Sequence, residues 1–249
     1  MGMMSSFLKI GQISDTHIRG KSVLSQDVMT LQNFVKVIRD VQKKDLDLVV
    51  FSGDLAENRA EEDYEVFFKL IEELKKPWCF ISGNHDNNLL IEKKSPVPIH
   101  LIDGKLFYKR KINSWPLFFL DSSSGIISND QLEWMKMEAE KEKGEVILFV
   151  HHPPCLCGHR FMDANHALQN ISEVVDALHQ IKNLKSIFVG HYHSEMKVDM
   201  GCGQTVYVAP STQMQLDPNF EEFKISSFRP AWRMIEYKDG ALSTKVHFL

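Results

Sequence analysis

Apolar runs of strand length recur along this chain, and five of them break off into short polar blocks: Asp15-Thr16-His17, Gly53-Asp54, Gly83-Asn84-His85-Asp86, His151-His152-Pro153 and Gly190-His191-Tyr192-His193. Leu8 to Ile13, Leu46 to Phe51, Trp78 to Ile81, Glu145 to Val150 and Ser186 to Val189 read as the strands that precede them. Helical spacing fills the intervals: Ser25 to Lys43, Glu61 to Lys75, Asn129 to Lys141 (an exposed helix by its charges) and Ser172 to Ile181 carry apolar residues three and four apart. Ile99 to Tyr108 and Trp115 to Leu120 read as further strands. After residue 194 the helical period stops, and Met196 to Met200, Thr205 to Val208, Arg233 to Tyr237 and Thr244 to Phe248 alternate like strands, with Asp239-Gly240 as a hairpin turn. Alternating strands and helices followed by strands predict an α/β fold, a four-layer α/β/β/α sandwich of two mixed sheets face to face with helices outside.

With 249 residues, 43% hydrophobic and 25% charged, the chain reads as one domain over 1–249 with a sizeable core. The net charge of −4 leaves no basic stripe for nucleic acid, so any attraction for an anion must come from local metal charge. Cys79, Cys155, Cys157 and Cys202 match neither a disulfide framework nor a zinc ribbon, which points to a reduced, cytoplasmic setting, with Cys155 and Cys157 as loop thiols. No apolar run is long enough to span a membrane, and Met1 to Lys9 lacks a signal-peptide layout. Met1 to Ser6 fits a short myristoylation pattern that reads as a start-codon remnant.

Each polar block falls beyond the C-terminal end of an expected strand, the edge where ligand sites form in open α/β sheets. The blocks supply two carboxylates, one carboxamide and four or five imidazoles, a ligand set large enough for two divalent metals sharing a carboxylate. Two such metals make a nucleophile from water and neutralise a phosphoryl group, so the set points to phosphoester hydrolysis. Asp15 and His17, two apart, project to one side of extended backbone, as do His191 and His193. Gly53, Gly83 and Gly190 precede candidate ligands, where glycine permits a tight turn. Taken singly the blocks are weak signals, since a Gly-Asp pair is an ordinary turn; their order and shared context carry the inference.

D-x-H, G-D, G-N-H-[D/E], a histidine after a strand and G-H-x-H, in this order, resemble the calcineurin-like metallophosphoesterase superfamily over roughly residues 8 to 212. The resemblance implies that Asp15, His17, Asp54 and His193 hold one metal and that Asp54, Asn84, His151 and His191 hold the other, with Asp54 bridging. It leaves His85 off the metals, facing the substrate phosphate together with Asn84. Asp86 or another carboxylate holds the His85 imidazole in register, or Asp86 is a turn residue. His152 supports rather than ligates, and His100, His159, His166, His179 and His247 read as ordinary. Two divalent ions, the two aspartates and a bridging hydroxide leave about +1 for a phosphodiester monoanion. The hydroxide attacks phosphorus in line with the leaving oxygen, and a protonated His85 donates to that oxygen.

Further segments are similar to the class III cyclic nucleotide phosphodiesterases: Asp121-Ser122-Ser123, Leu132-Glu133-Trp134, His151 to Pro154, Gly158 to Asp163, Ala209 to Gln213 and Ala231-Trp232-Arg233. That branch implies hydrolysis of 3′,5′-cyclic AMP or a related phosphodiester, and its mixed N/O ligands suit iron, manganese or zinc, divalent or mixed-valence. Arg160 follows a metal histidine and is positioned either to hold phosphate or to form an ordinary salt bridge, and Asn87 could touch substrate. The expected partner is a small phosphodiester, a cyclic nucleotide by resemblance; a homodimer is allowed. The alternatives are a broad-specificity phosphoesterase acting on a phospholipid, nucleotide or phosphoprotein, and a non-catalytic interaction module, which would be expected to have lost one or more ligands.

Overall fold

The computed structural model describes residues 7–20 and 25–249, so the Met1 to Ser6 pattern lies outside the described residues. In chain order the elements are β1 (Leu8–Ile13), α1 (Ser25–Gln42), β2 (Leu48–Ser52), α2 (Glu61–Ile71), β3 (Trp78–Ile81) and α3 (Asn88–Lys94). Then follow β4 (Tyr108–Ile112), β5 (Trp115–Leu120), α4 (Asn129–Glu140), β6 (Val146–Val150), α5 (Arg160–Asn165), α6 (Ile171–His179), β7 (Leu184–Val189), β8 (Met196–Gly201) and β9 (Gln204–Val208). The chain closes with β10 (Gln215–Leu216), β11 (Ile225–Ser227), β12 (Ala231–Lys238) and β13 (Ala241–Phe248).

Two large mixed sheets result, with strand orders β13-β12-β1-β2-β3 and β4-β5-β6-β7-β9-β8. In the first, β1, β2 and β3 are parallel and β12 pairs antiparallel to β1. In the second, β5, β6, β7 and β9 are parallel, flanked by antiparallel β4 and β8. The buried strands divide their side chains by the period of two. Leu48 and Val50 of β2 meet Ile147 and Phe149 of β6 between the sheets. Their neighbours Val49 and Phe51 face Phe34 of α1 and Phe67 of α2, while Leu148 and Val150 face Leu132 of α4 and Val174 of α6. The layers are therefore helix, sheet, sheet, helix, as the sequence predicts.

A ladder of stacked rings crosses the inner face of the second sheet, from Tyr108 to Phe119 (4.5 Å between centroids), Phe149 (5.4 Å), Phe188 (5.4 Å) and Tyr207 (5.1 Å). Toward the C-terminal ends of the parallel strands the filling turns polar. There Gln12 Nε2 donates to Ser52 Oγ (3.0 Å) and to Val189 O of the facing sheet (3.1 Å).

Three local readings are corrected. Ile99 to Phe107 is not a strand: it holds a single bridge, Ile102 to Lys105, around Asp103-Gly104 with φ 49° and 76°. The Leu106 amide is instead taken by Asp121 Oδ2 at 2.8 Å, so the ladder starts only at Tyr108. The α4 helix is not exposed all round: Leu132, Met135 and Ala139 are buried against the second sheet, and of its apolar residues Met137 joins the charged outer face. The short helices α3 and α5 carry too little apolar period to be read, and each starts on a capping side chain. Asn87 Oδ1 accepts from the amides of Leu89 and Leu90, which makes it a helix cap rather than a substrate contact, and His159 Nδ1 accepts from Met162 N.

Candidate metal centre

Parallel strands from both sheets end side by side, and the five polar blocks sit on those ends. Asp15 and His17 follow β1, Asp54 follows β2, Asn84 and His85 follow β3, His151 follows β6, and His191 and His193 follow β7. The backbone there is not extended: Asp15, His17, Asp54, His191 and His193 all have positive φ, between 45° and 67°. Clustered left-handed non-glycine residues are costly, and they persist where surrounding contacts fix them. The same-side geometry expected for Asp15 and His17 therefore comes from a strained turn and not from a strand.

The glycines serve by lacking a Cβ. Gly53 alone of the three has a left-handed φ, at +95°. A Cβ on Gly83 would fall 2.2 Å from Asp54 Oδ1, and one on Gly190 would fall 1.9 Å from Ser14 Oγ and 2.8 Å from Asp15 Oδ2.

Three overlapping groups bring their ligand atoms within 4.8 Å of one another: Asp15–His17–His193, His17–Asp54–His85 and Asp54–His151–His191. Asp54 is common to two of them. His151 Nε2 lies 3.3 Å from Asp54 Oδ2 and 3.2 Å from Asn84 Oδ1, and His193 Nε2 lies 3.4 Å from Asp15 Oδ1. The outer ring nitrogens are held by other groups: His151 Nδ1 donates to Ser52 O (2.9 Å), and His191 Nε2 donates to His166 O (3.0 Å). The carboxylates are fixed by backbone amides, Asp15 by His191 N and Asp54 by His85 N.

The donor set suits a pair of cations. Nε2 of His17 faces Nε2 of His193 at 3.1 Å while Glu57 occupies His17 Nδ1. Two imidazole lone pairs opposed this way need a proton or a cation between them. Burial raises the Asp15 carboxyl, but His193 and His151 outweigh it and hold it down at about 2. Asp54, equally buried, is held well below the carboxylate range by His151, His17 and His85. Burial lowers His151, yet Asp54 and Asp15 lift it to about 9. His191, buried beside His151, falls to about 3. The two aspartates thus present anionic oxygens among imidazoles, and the mixed carboxylate, carboxamide and imidazole donors fit first-row transition metals.

His85 is 38% exposed in its side chain where the other members of these groups are buried, and its Nδ1 lies 3.6 Å from Glu57 Oε2. The catalytic reading of Asp86 gives way to the turn reading: its carboxylate accepts from the amides of Gly83, Leu55 and Ala56 and from Tyr64 Oη, bracing the β2 and β3 loops, and the carboxylate beside His85 is that of Glu57. Burial and the nearby Asp54 charge push Asp86 up to about 7. For Arg160 the structure takes the second of its two readings, the ordinary salt bridge. Its guanidinium pairs with Glu221 (2.5 Å) and reaches Asn219 O, and it does not line the cleft. His152 packs against His191 with Nδ1 on Ser122 Oγ, the supporting position expected of it.

A cleft of about 400 Å³ opens over the cluster, with His17, Arg19, Asp54, Glu57, Asn84 and His85 on its polar wall. Sequence reading missed Glu57 and Arg19, which meet at 3.0 Å, and His166, which joins the opposite wall. The one available signal was an acid three residues after Asp54 in a block already suspected. An apolar cavity of about 420 Å³ near Trp78, Phe80 and Trp134 shares no lining residue with this cleft.

Strand-end aspartates and histidines converging between two mixed sheets define a metal-dependent phosphoesterase site. The calcineurin-like phosphoesterase profile matches residues 8–195, and the chain belongs to that family. It is 48% identical to a Fibrobacter succinogenes protein named "Probable cyclic nucleotide phosphodiesterase", across 99% of this chain and 96% of that one. It is 29% identical to the 3′,5′-cyclic adenosine monophosphate phosphodiesterase CpdA of Escherichia coli, across 97% and 90%. Among solved structures, a dimetal phosphatase from Danio rerio shares the fold with a TM-score of 0.67 at 12% identity, across 96% of this chain and 98% of that one. A purple acid phosphatase from yellow lupin (Lupinus luteus) does so at 0.72 and 13%, across 98% and 52%. Among the described residues no helix is long and apolar enough to cross a membrane.

Proposed function

We propose that this chain is a dinuclear metallophosphodiesterase whose substrate is 3′,5′-cyclic AMP or a closely related small phosphodiester, acting as a single domain in the cytoplasm. The observation that carries the reading is Asp54 on the cleft wall, whose Oδ2 lies 3.7 Å from Nε2 of His17 in one half of the cluster and 3.3 Å from Nε2 of His151 in the other. The names of the full-length relatives support the substrate class.

Asp15, His17, Asp54 and His193 are assigned to one ion, and Asp54, Asn84, His151 and His191 to the other, with iron, manganese or zinc as candidates. Bound, the ions supply a nucleophile from water at neutral pH and neutralise charge on the phosphoryl oxygens. The protein groups do the rest. Glu57 fixes the proton of His17 on Nδ1, and Ser52 O does the same for His151. His85, on the polar wall with Nδ1 toward Glu57, presents Nε2 as an acid: one phosphoester bond breaks, and the departing oxygen takes the His85 proton.

Metal analysis and a substrate panel test the reading. Purified protein should hold about two transition metals per chain, as a two-metal site requires. In the presence of manganese, kcat/KM should be highest for 3′,5′-cyclic AMP among 3′,5′-cyclic AMP, 2′,3′-cyclic AMP, a synthetic diester and a monoester. A metal-free protein that cannot be reconstituted, or a preference for the monoester, would reject it.

A further inference from the structure

We propose that Phe161 and Phe223 form a stacking wall for a nucleobase, so that the cleft selects phosphodiesters bearing a planar heterocycle. This rests on the phosphodiesterase reading above and deepens it.

The cleft has two unlike walls. Facing the polar side are Phe161, Met162, His166, Met214, Leu216 and Phe223. A phosphate has no use for an apolar wall, and leaving large apolar side chains at a cleft mouth forfeits their burial. Phe223 is 52% exposed there. The rings form a series leading away from the metal cluster: His191 to His166 at 6.4 Å between centroids, His166 to Phe161 at 5.3 Å, and Phe161 to Phe223 at 5.7 Å, edge to face. The series starts at a buried ring and ends at an exposed one. It therefore offers ring surface beside the cleft at increasing remove from the phosphate position. Gln213, whose side-chain amide has no protein partner among the described residues, lines the same cleft and can meet the polar rim of a base. An acyl chain would want an enclosed apolar slot, whereas a base stacks on one face and keeps its edge wet.

The two phenylalanines come from separate elements, and Arg160 joins them. Its backbone amide donates to Pro218 O (3.0 Å), its guanidinium pairs with Glu221, and a second nitrogen reaches Asn219 O. These contacts tie the start of α5, which carries Phe161, to the loop between β10 and β11, which carries Phe223. Leu216 N donates to His193 O (2.9 Å) and anchors that loop to the metal block. Arg160, through its salt bridge, is thus a positioning residue for the wall.

The experiment compares Mn²⁺-loaded wild type, Phe223→Ala, Phe223→Trp and Phe220→Ala on two substrates. These are 3′,5′-cyclic AMP and the same ribose cyclic phosphate with 1-O-methyl in place of the base. The ratio of their kcat/KM values should fall about ten-fold in Phe223→Ala, the scale of one lost stacking contact. Phe223→Trp should keep the ratio, and so should Phe220→Ala, which alters an exposed ring of the same loop that does not line the cleft. Equal loss on both substrates, or no loss, overturns the wall. If wild type hydrolyses no cyclic nucleotide, the substrate reading fails on its own, and calorimetry still judges the wall. In that case 5′-AMP should bind wild type about ten-fold tighter than ribose 5-phosphate, with the gap closed in Phe223→Ala. Equal affinity of the two ligands for wild type overturns the proposal.

Discussion

Oε2 of Glu57 lies 2.5 Å from Nδ1 of His17, and this contact decides which nitrogen of the ring is left to face His193. The same carboxylate meets Arg19 through Oε1 and stands beside His85. Glu57→Gln keeps the shape but can offer an N–H to Nδ1, which favours the tautomer protonated on Nε2. Metal affinity should drop roughly 10- to 100-fold, the usual cost of losing such an outer partner. Metal titration followed by elemental analysis measures it; unchanged affinity would show that Glu57 does not set the tautomer.

His85→Ala should keep its metal and its fold, because the ring is only partly buried. Loss of an acid should lower kcat on 3′,5′-cyclic AMP by about 10²- to 10⁴-fold. A p-nitrophenyl diester, whose leaving group departs without a proton, should suffer much less. Equal losses on both substrates would remove the acid role, and reduced metal content would make His85 a ligand.

Gly190→Ala forces a Cβ to within 1.9 Å of Ser14 Oγ and 2.8 Å of Asp15 Oδ2. Something must move at the floor of the site, so metal content and turnover should both fall sharply. Gly144→Ala meets nothing within 4 Å and is the control, expected to leave both as they are. Normal metal content in Gly190→Ala would show that the β1 loop yields more readily than its close contacts indicate.

Metal removal should lower Tm. One ion present at a hundred-fold excess over its Kd adds about 2.7 kcal/mol, which for a chain of this size is roughly 5–10 °C. The chelated protein should also acquire a pH dependence. His151 is raised in the folded state from 6.5 to about 9, its burial being outweighed by Asp54 and Asp15. The folded state then holds a proton that the unfolded chain has released, so this stabilisation is complete below pH 6.5 and disappears as pH rises through about 9. Calorimetric scans from pH 6 to 9.5 with and without chelator test this; parallel profiles would count against it.

Thiol labelling separates the cysteines. Cys79 is buried on β3, and burial pushes its thiol up to about 12, whereas Cys202 is exposed. Iodoacetamide at pH 8 should modify Cys202 in the native protein and reach Cys79 only on unfolding, as peptide mapping would report. Native-state labelling of Cys79 would reveal an opening of the β3 edge.

The strands were legible because their side chains obey a period of two and their ends carry unusual residues. Leu8–Ile13 and Trp78–Ile81 coincide with their expected bounds. The convergence of Asp15, Asp54, His151 and His191 followed from strand ends alone. What stayed hidden depends on distant partners. The break in the ladder at Leu106 is imposed by Asp121, and the diversion of Asp86 to three backbone amides depends on how two loops approach. Arg160 illustrates the limit: its place in the sequence allowed either a phosphate contact or a salt bridge, and the choice rests on Glu221, sixty-one positions on.

The aromatic ladder gives the two sheets a fixed gauge. Asp54 hangs from one sheet and His151 from the other, so their 3.3 Å separation also records how far apart and in what alignment the sheets lie. Phe149 and Phe188 set that spacing from within the shared layer. Phe149→Leu should thin the gauge and shift the two halves of the metal site against each other, which metal titration against wild type would read as altered affinity. Metal preference can therefore drift through residues that never approach an ion, and relatives that differ only in this hidden layer can differ in the metal they take.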